Sequence, residues 1–174
     1  RLGSLISKLE PTKGSIMDAT LWVMDNASQY ATQISGVLLW SLSCTKSCEL
    51  MKTPVPAVVA RLYLLSDILM QLRLFSVPGA SQYRSLFQND HNGLIHVFHA
   101  LGQRYALCGR LTASQLRTRV DGVIAAWQDA ELFPAEYLDN LQKSFINGSK
   151  ISSSAVNDLN SAKGDDKDPV PMMW

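Results

Sequence analysis

Several things are scarce in this sequence, and each scarcity excludes a class of protein. Cysteine is limited to three residues in 174, Cys44, Cys48 and Cys108. An odd, small number argues against a disulfide framework and predicts reduced thiols. Charge of one sign is missing too: 16 basic against 15 acidic residues leave a net charge of +1. That excludes a polycation that binds nucleic acid by neutralising phosphates. Uninterrupted apolar runs are short, Leu62-Tyr63-Leu64-Leu65 being typical, so no run approaches the ~20 residues of a membrane span. Alternating strand patterns are nearly absent. There is no phosphate-cradling glycine loop, no nucleophile elbow and no His-Glu-x-x-His motif, so the expected activity is binding rather than catalysis. The chain begins at Arg1 rather than methionine and shows no signal-peptide pattern, which predicts a fragment of a longer protein.

What is present is apolar residues at helical spacing. The chain is 47% hydrophobic and 18% charged, enough for one folded domain without a metal or disulfide. Short helical signals run from Leu2 to Leu9. Ser15 with Asp18 reads as an N-cap with an acid in the first turn, followed by helix to about Gln29. The next helix is expected from Tyr30 to Cys48. Pro54 and Pro56 open another, to about Leu74, in which Val58, Leu62, Leu65, Leu69 and Leu72 recur at steps of three and four. With Arg61, Asp67 and Arg73 as its only charges, this helix is expected at the centre of the domain. Helix resumes near Ser81 and is interrupted at 89–93. Gly109 reads as a C-cap and Thr112-x-x-Gln115 as a capping box. Leu116, Val120, Val123, Ile124 and Trp127 follow on one face. Pro134 opens the last helix, expected to close near Gly148. The reading is an all-α domain over residues 1–147. A polar stretch over 148–174 reads as linker or loosely docked tail.

Few side chains point to chemistry. His91, His96 and His99 lie close in sequence, and Cys44 and Cys48 are one turn apart, but neither set has metal-site spacing. No metal and no cofactor are expected. Asp67 stands out as the only acid in the most apolar helix. Its ordinary explanation is a tie to backbone, Arg61 or Arg73, because an unpartnered buried carboxylate is costly. Its functional one is a strip with Tyr63 and Met70 or Gln71 lining a peptide groove. Arg117 and Arg119, opposite the Trp127 stripe, read as a solvated basic face or as phosphate contacts.

The ordered blocks resemble a known family. They are Leu9-x-Pro11-x-Lys13, Ile16-x-Asp18-Ala19, Asn26-Ala27, Lys52-Thr53-Pro54-x-Pro56 and Ala60-Arg61-Leu62-Tyr63-Leu64-x-Ser66-Asp67. Ala80-Ser81-x-Tyr83-Arg84, Arg119-Val120, Ala126-Trp127-x-Asp129 and Pro134 follow. Together, over about residues 5–147, they resemble the CID, the domain that binds the C-terminal repeats of RNA polymerase II. Within that family they are most similar to the CID of splicing proteins with an SR-rich region and a SURP motif. The resemblance implies a right-handed superhelix of about eight helices. It implies a groove on the second, fourth and seventh helices for the Tyr-Ser-Pro-Thr-Ser-Pro-Ser repeat, usually phosphorylated.

By the same resemblance Asp67 accepts the repeat tyrosine's hydroxyl, beside Ser66 and Tyr63, and Gln71 stands where many members have asparagine. The loop Thr12–Ser15, with Lys13 and Ser15, matches a region that touches the peptide backbone. The arginines that read phosphoserine in several members are replaced by Gly122 and Ala130, leaving Arg119, and less directly Arg117, as candidates. A nuclear, monomeric module is implied, with the polymerase repeat as partner and splicing complexes with RNA as the setting of the whole protein. No membrane contact is implied. The VHS- and ENTH-type trafficking adaptors share this architecture and are the alternative, as is a scaffold that has lost peptide binding. A lipid-binding member would carry a basic or amphipathic N-terminal segment, whereas Arg1–Leu9 has only Arg1 and Lys8.

Overall fold

The computed structural model describes residues 1–43 and 52–161, the last eleven as backbone helix only. All elements among the described residues are helical. They are α1 (Leu2–Ser7), α2 (Lys13–Asn26), α3 (Ala31–Ser43) and α4 (Val55–Leu74), then α5 (Ala80–Phe87), α6 (Leu94–Ala106), α7 (Arg110–Asp129) and α8 (Ala135–Ser161). No strand occurs among them.

The helices stack as a helical superhelix in two layers. α2, α4 and α7 stand in a row, α4 touching both neighbours, while α3 packs on α5 and α6 behind them. The most extensive contact joins α6 to α8. α4 is the central element its periodicity predicts, with Val58, Leu62, Leu65, Leu69 and Leu72 all buried. By length and composition alone it would also pass as a membrane-crossing helix, with a mean hydropathy of 1.5 over its most apolar stretch, 56% of which is buried. Looking only for uninterrupted runs misses this, because Arg61, Asp67 and Arg73 break the run without making the helix polar.

The Trp127 stripe is also where expected: Leu116, Val120, Val123, Ile124 and Trp127 are buried. Trp127 packs against Phe98 (centroids 5.9 Å apart) and Phe133 (5.5 Å), which tie α6 and the α7–α8 turn together.

Four punctuation marks differ from their sequence reading. Thr12, not Ser15, caps α2: its hydroxyl accepts from the Ser15 N–H at 3.4 Å, and Ser15 Oγ accepts from the Glu10 N–H at 3.1 Å. Gly109 ends no helix; in extended conformation it is the N-cap of α7. Thr112 therefore lies inside the first turn, where its hydroxyl cannot act as a cap. Gly148 does not close α8, which runs on to Ser161. A Cβ at Gly148 would stand 2.1 Å from the His99 carbonyl oxygen, and one at Gly102 would stand 2.0 Å from that of Phe145. These glycines let two backbones touch. Of the expected Tyr30–Cys48 helix the described part ends at Ser43. Cys44 and Cys48 lie outside the described residues, as does the tail from 162 onward.

Burial leaves a titration signature. Tyr83, whose hydroxyl donates to the Ala27 carbonyl at 3.0 Å, has its pKa pushed up to about 12, and Tyr137 likewise, each chiefly by desolvation. A raised phenol pKa means stability fully present below pH ~10 and lost as pH rises toward 12. Ultraviolet difference titration of the folded protein is expected to show two late phenolates. Ionisation of all five tyrosines in one step near pH 10, with the fold intact, would contradict this packing.

Candidate peptide groove

The α2–α4–α7 row forms a groove, and most of the expected residues converge on it. Asp67 sits half-buried on α4. Neither arginine of its own helix holds it. Thr20 of α2, itself 3% exposed, donates its hydroxyl to Asp67 Oδ2 at 2.7 Å. That hydroxyl also lies 3.0 Å from the Ile16 carbonyl, but its one proton is best placed on the charged acceptor. Among the described residues the other oxygen, Oδ1, meets only the Gln71 amide, at a marginal 3.5 Å. Asp67 is thus oriented from one side and retains accepting capacity on the other. Arg61 instead donates to the Ser41 carbonyl at 3.0 Å, and Arg73 is exposed.

Immediately before Asp67 on α4, Ser66 accepts the Trp127 indole N–H at 3.0 Å. This couples the α7 core to the groove wall and leaves the serine proton free to donate. Tyr63 lies across from Arg119, which donates to its hydroxyl at 3.3 Å. The Tyr63–Arg119 pair separates two hollows. One, about 310 Å³, is bounded by Ser66, Gly122 and Ala126. The other, about 560 Å³, is bounded by Pro11, Val59, Thr112 and Leu116. A Cβ at Gly122 would touch nothing, so the first hollow has the room expected where related arginines would sit.

The remaining candidates are placed differently. Lys13 and Ser15 belong to the first turn of α2 rather than to a loop. Lys13 is exposed, and the Ser15 hydroxyl is occupied with the Glu10 backbone. Arg117 is paired with Asp121 at 3.3 Å and lies over the Phe145 ring, away from the groove. Nothing in the local sequence marks Thr20, because its partner is 47 residues away. Pro11, from the Leu9-x-Pro11-x-Lys13 block, and Thr112, expected as a cap, both line the wider hollow. Among the described residues no three His, Cys, Asp or Glu side chains converge as a metal site would require.

Fold and site together define an all-helical domain with a mixed polar and apolar groove along one row of helices. No family model matches the chain. Among curated proteins it is similar to two from Arabidopsis thaliana. It is 32% identical over 142 residues to Protein RRC1-like, covering 82% of this chain and 14% of that protein. It is 32% identical over 161 residues to Protein RRC1, covering 92% of this chain and 16% of that protein. The chain thus spans about a seventh of the length of these relatives.

Proposed function

We propose that this domain binds, without catalysis, the phosphorylated C-terminal repeats of RNA polymerase II. We propose further that it does so for a nuclear protein of pre-mRNA splicing and processing. The observation that carries the reading is the one-sided anchoring of Asp67. A carboxylate held by Thr20, with its other oxygen met by only a marginal contact from Gln71 and the Tyr63 ring a turn away, suits a tyrosine hydroxyl and its ring. The resemblance of the sequence blocks to the CID supports the same partner. Similarity to the RRC1 proteins is compatible with it.

The test is fluorescence polarisation with repeat peptides that differ only in phosphorylation position. Asp67→Asn keeps the shape and can still accept from Thr20, so it removes charge and little else. A charge-assisted hydrogen bond contributes roughly 1.5–3 kcal/mol, so the variant is expected to bind ~10- to 150-fold more weakly. A peptide with phenylalanine in place of tyrosine should lose about as much. The two changes together should lose less than their product, because they delete one contact. Arg119→Ala should weaken phosphorylated peptides and spare unphosphorylated ones, with the difference shrinking as salt is raised. Full additivity of the tyrosine and Asp67 changes would make Asp67 a purely structural residue. Absence of binding to every repeat peptide would favour the scaffold reading, and pelleting with liposomes the trafficking one.

A further inference from the structure

α4 presents Ser66, Leu69 and Arg73 on one ridge, at steps of three and four. Ser66 lines the groove described above. Leu69 and Arg73 belong to a separate pocket of about 250 Å³, where the end of α4 meets α5 and the α7–α8 turn. Its floor is apolar, made of Leu72, Tyr83 and Phe133 beside Leu69, and its rim holds Arg73 and Arg84. No acidic residue lines it. Arg73 is exposed and has no hydrogen-bond or ion-pair partner among the described residues. Arg84 gives one N–H to the Leu132 carbonyl, which steadies the guanidinium and leaves its other donors free.

Two guanidinium groups over a small apolar floor, with no carboxylate to neutralise them, match an anion attached to a compact apolar group. From Ser66 to Arg73 the rise along α4 is about 10 Å, a distance that ~3 extended peptide residues cover. We infer that this pocket is a second subsite, in which Arg73 and Arg84 hold a phosphoserine while the following proline ring rests on Leu69, Leu72 and Phe133. As a place for the repeat, it rests on the proposed function above. It places a phosphate reader on α4 and α5, whereas Gly122 of α7 and Ala130 at its C-cap stand at the positions where the resemblance implies arginine in other members. A Ser-Pro unit suits it because charge and ring are adjacent, as rim and floor are here.

The test uses the full chain, labelled with ¹⁵N, and a capped phosphoserine-proline dipeptide that contains no tyrosine. The expected result is saturable amide shifts at Ala80, Ser81, Arg84 and Leu132. Arg73→Ala should weaken them about tenfold, since it removes one exposed charge-assisted contact. Arg84→Lys should weaken them too while keeping the charge, because a bidentate fork is lost. The unphosphorylated dipeptide should shift none of them. Shifts confined to the residues around Arg119 in the middle of α7, or none at all, would overturn the proposal. So would inorganic phosphate acting as well as the dipeptide, since the apolar floor would then contribute nothing. Because the dipeptide does not engage Asp67, it can bind even if the polymerase repeat proves to be the wrong partner. Conversely, repeat binding that depends on Asp67 but not on Arg73 would leave the proposed function intact and sink this subsite.

Discussion

Replacing Gly102 with alanine is expected to destabilise the domain by about 3 kcal/mol or more, the upper range of overpacking costs. The sign is opposite to what helix propensity predicts. Alanine in the middle of an exposed helix is favoured over glycine by about 1 kcal/mol. Gly102 lies inside α6, but its added Cβ would stand 2.0 Å from the Phe145 carbonyl oxygen and 2.9 Å from the Ser149 nitrogen. Both obstacles are backbone, so no side-chain rotation relieves the clash and the two helices must move apart. Their closest registers are Ile95 with Ser144, His99 with Gly148, and Gly102 with Phe145 and Ser149, so displacement affects the largest helix–helix contact of the fold. Gly148→Ala should behave alike, with 2.1 Å to the His99 carbonyl oxygen. Gly36→Ala supplies the contrast: Gly36 is exposed inside α3 with nothing near its Cβ position, and the variant should gain roughly 1 kcal/mol. Urea denaturation of the three variants reads both signs. Equal small gains at all three sites would mean that α6 and α8 do not pack this closely.

The same glycines show which parts of the structure were legible in the sequence. Helices bury stripes, and stripes are local patterns; hence α4 and the Trp127 face of α7 could be read residue by residue. Glycine is ambiguous locally. It stops a helix when the backbone must turn, and continues one when another backbone must come near. In the sequence Gly148 looks like the former; it is the latter, because α6, some 45 residues earlier in the chain, decides the matter. Gly109 and Thr112 carry genuine cap chemistry, yet the start of α7 falls between them, at Arg110. In the groove, Tyr63, Ser66, Asp67 and Gln71 were legible because they share one helix. Their partners Thr20, Trp127 and Arg119 come from α2 and α7, and pairing across helices leaves no periodic trace. The choice of Thr20 over Arg61 as Asp67's partner follows from where the helices cross, and nothing in α4 itself announces it.

Trp127→Ala should cost about 3–5 kcal/mol, the usual range for deleting a buried large aromatic side chain. Trp127 is fully buried between Phe98 and Phe133, so the alanine variant leaves a cavity walled by rings that belong to other elements. The more discriminating comparison is Trp127→Phe with Ser66→Ala. The indole N–H is inside the core, and Ser66 Oγ is its acceptor at 3.0 Å. Ser66→Ala alone strands that buried donor, which costs about 1–3 kcal/mol. Trp127→Phe removes the donor and part of the ring, and should cost about 1–2 kcal/mol. In the phenylalanine background Ser66→Ala should then be nearly neutral, since no donor remains to be stranded and the half-buried serine hydroxyl has solvent to meet. Thermal or urea unfolding of the four proteins closes the cycle. A Ser66→Ala cost that persists unchanged in the phenylalanine background would show that the serine supports the fold through some other contact. If the cost disappears with the indole, Ser66 is held in the groove by the core itself. Its hydroxyl proton is then directed by Trp127 toward whatever occupies the space between α4 and α7.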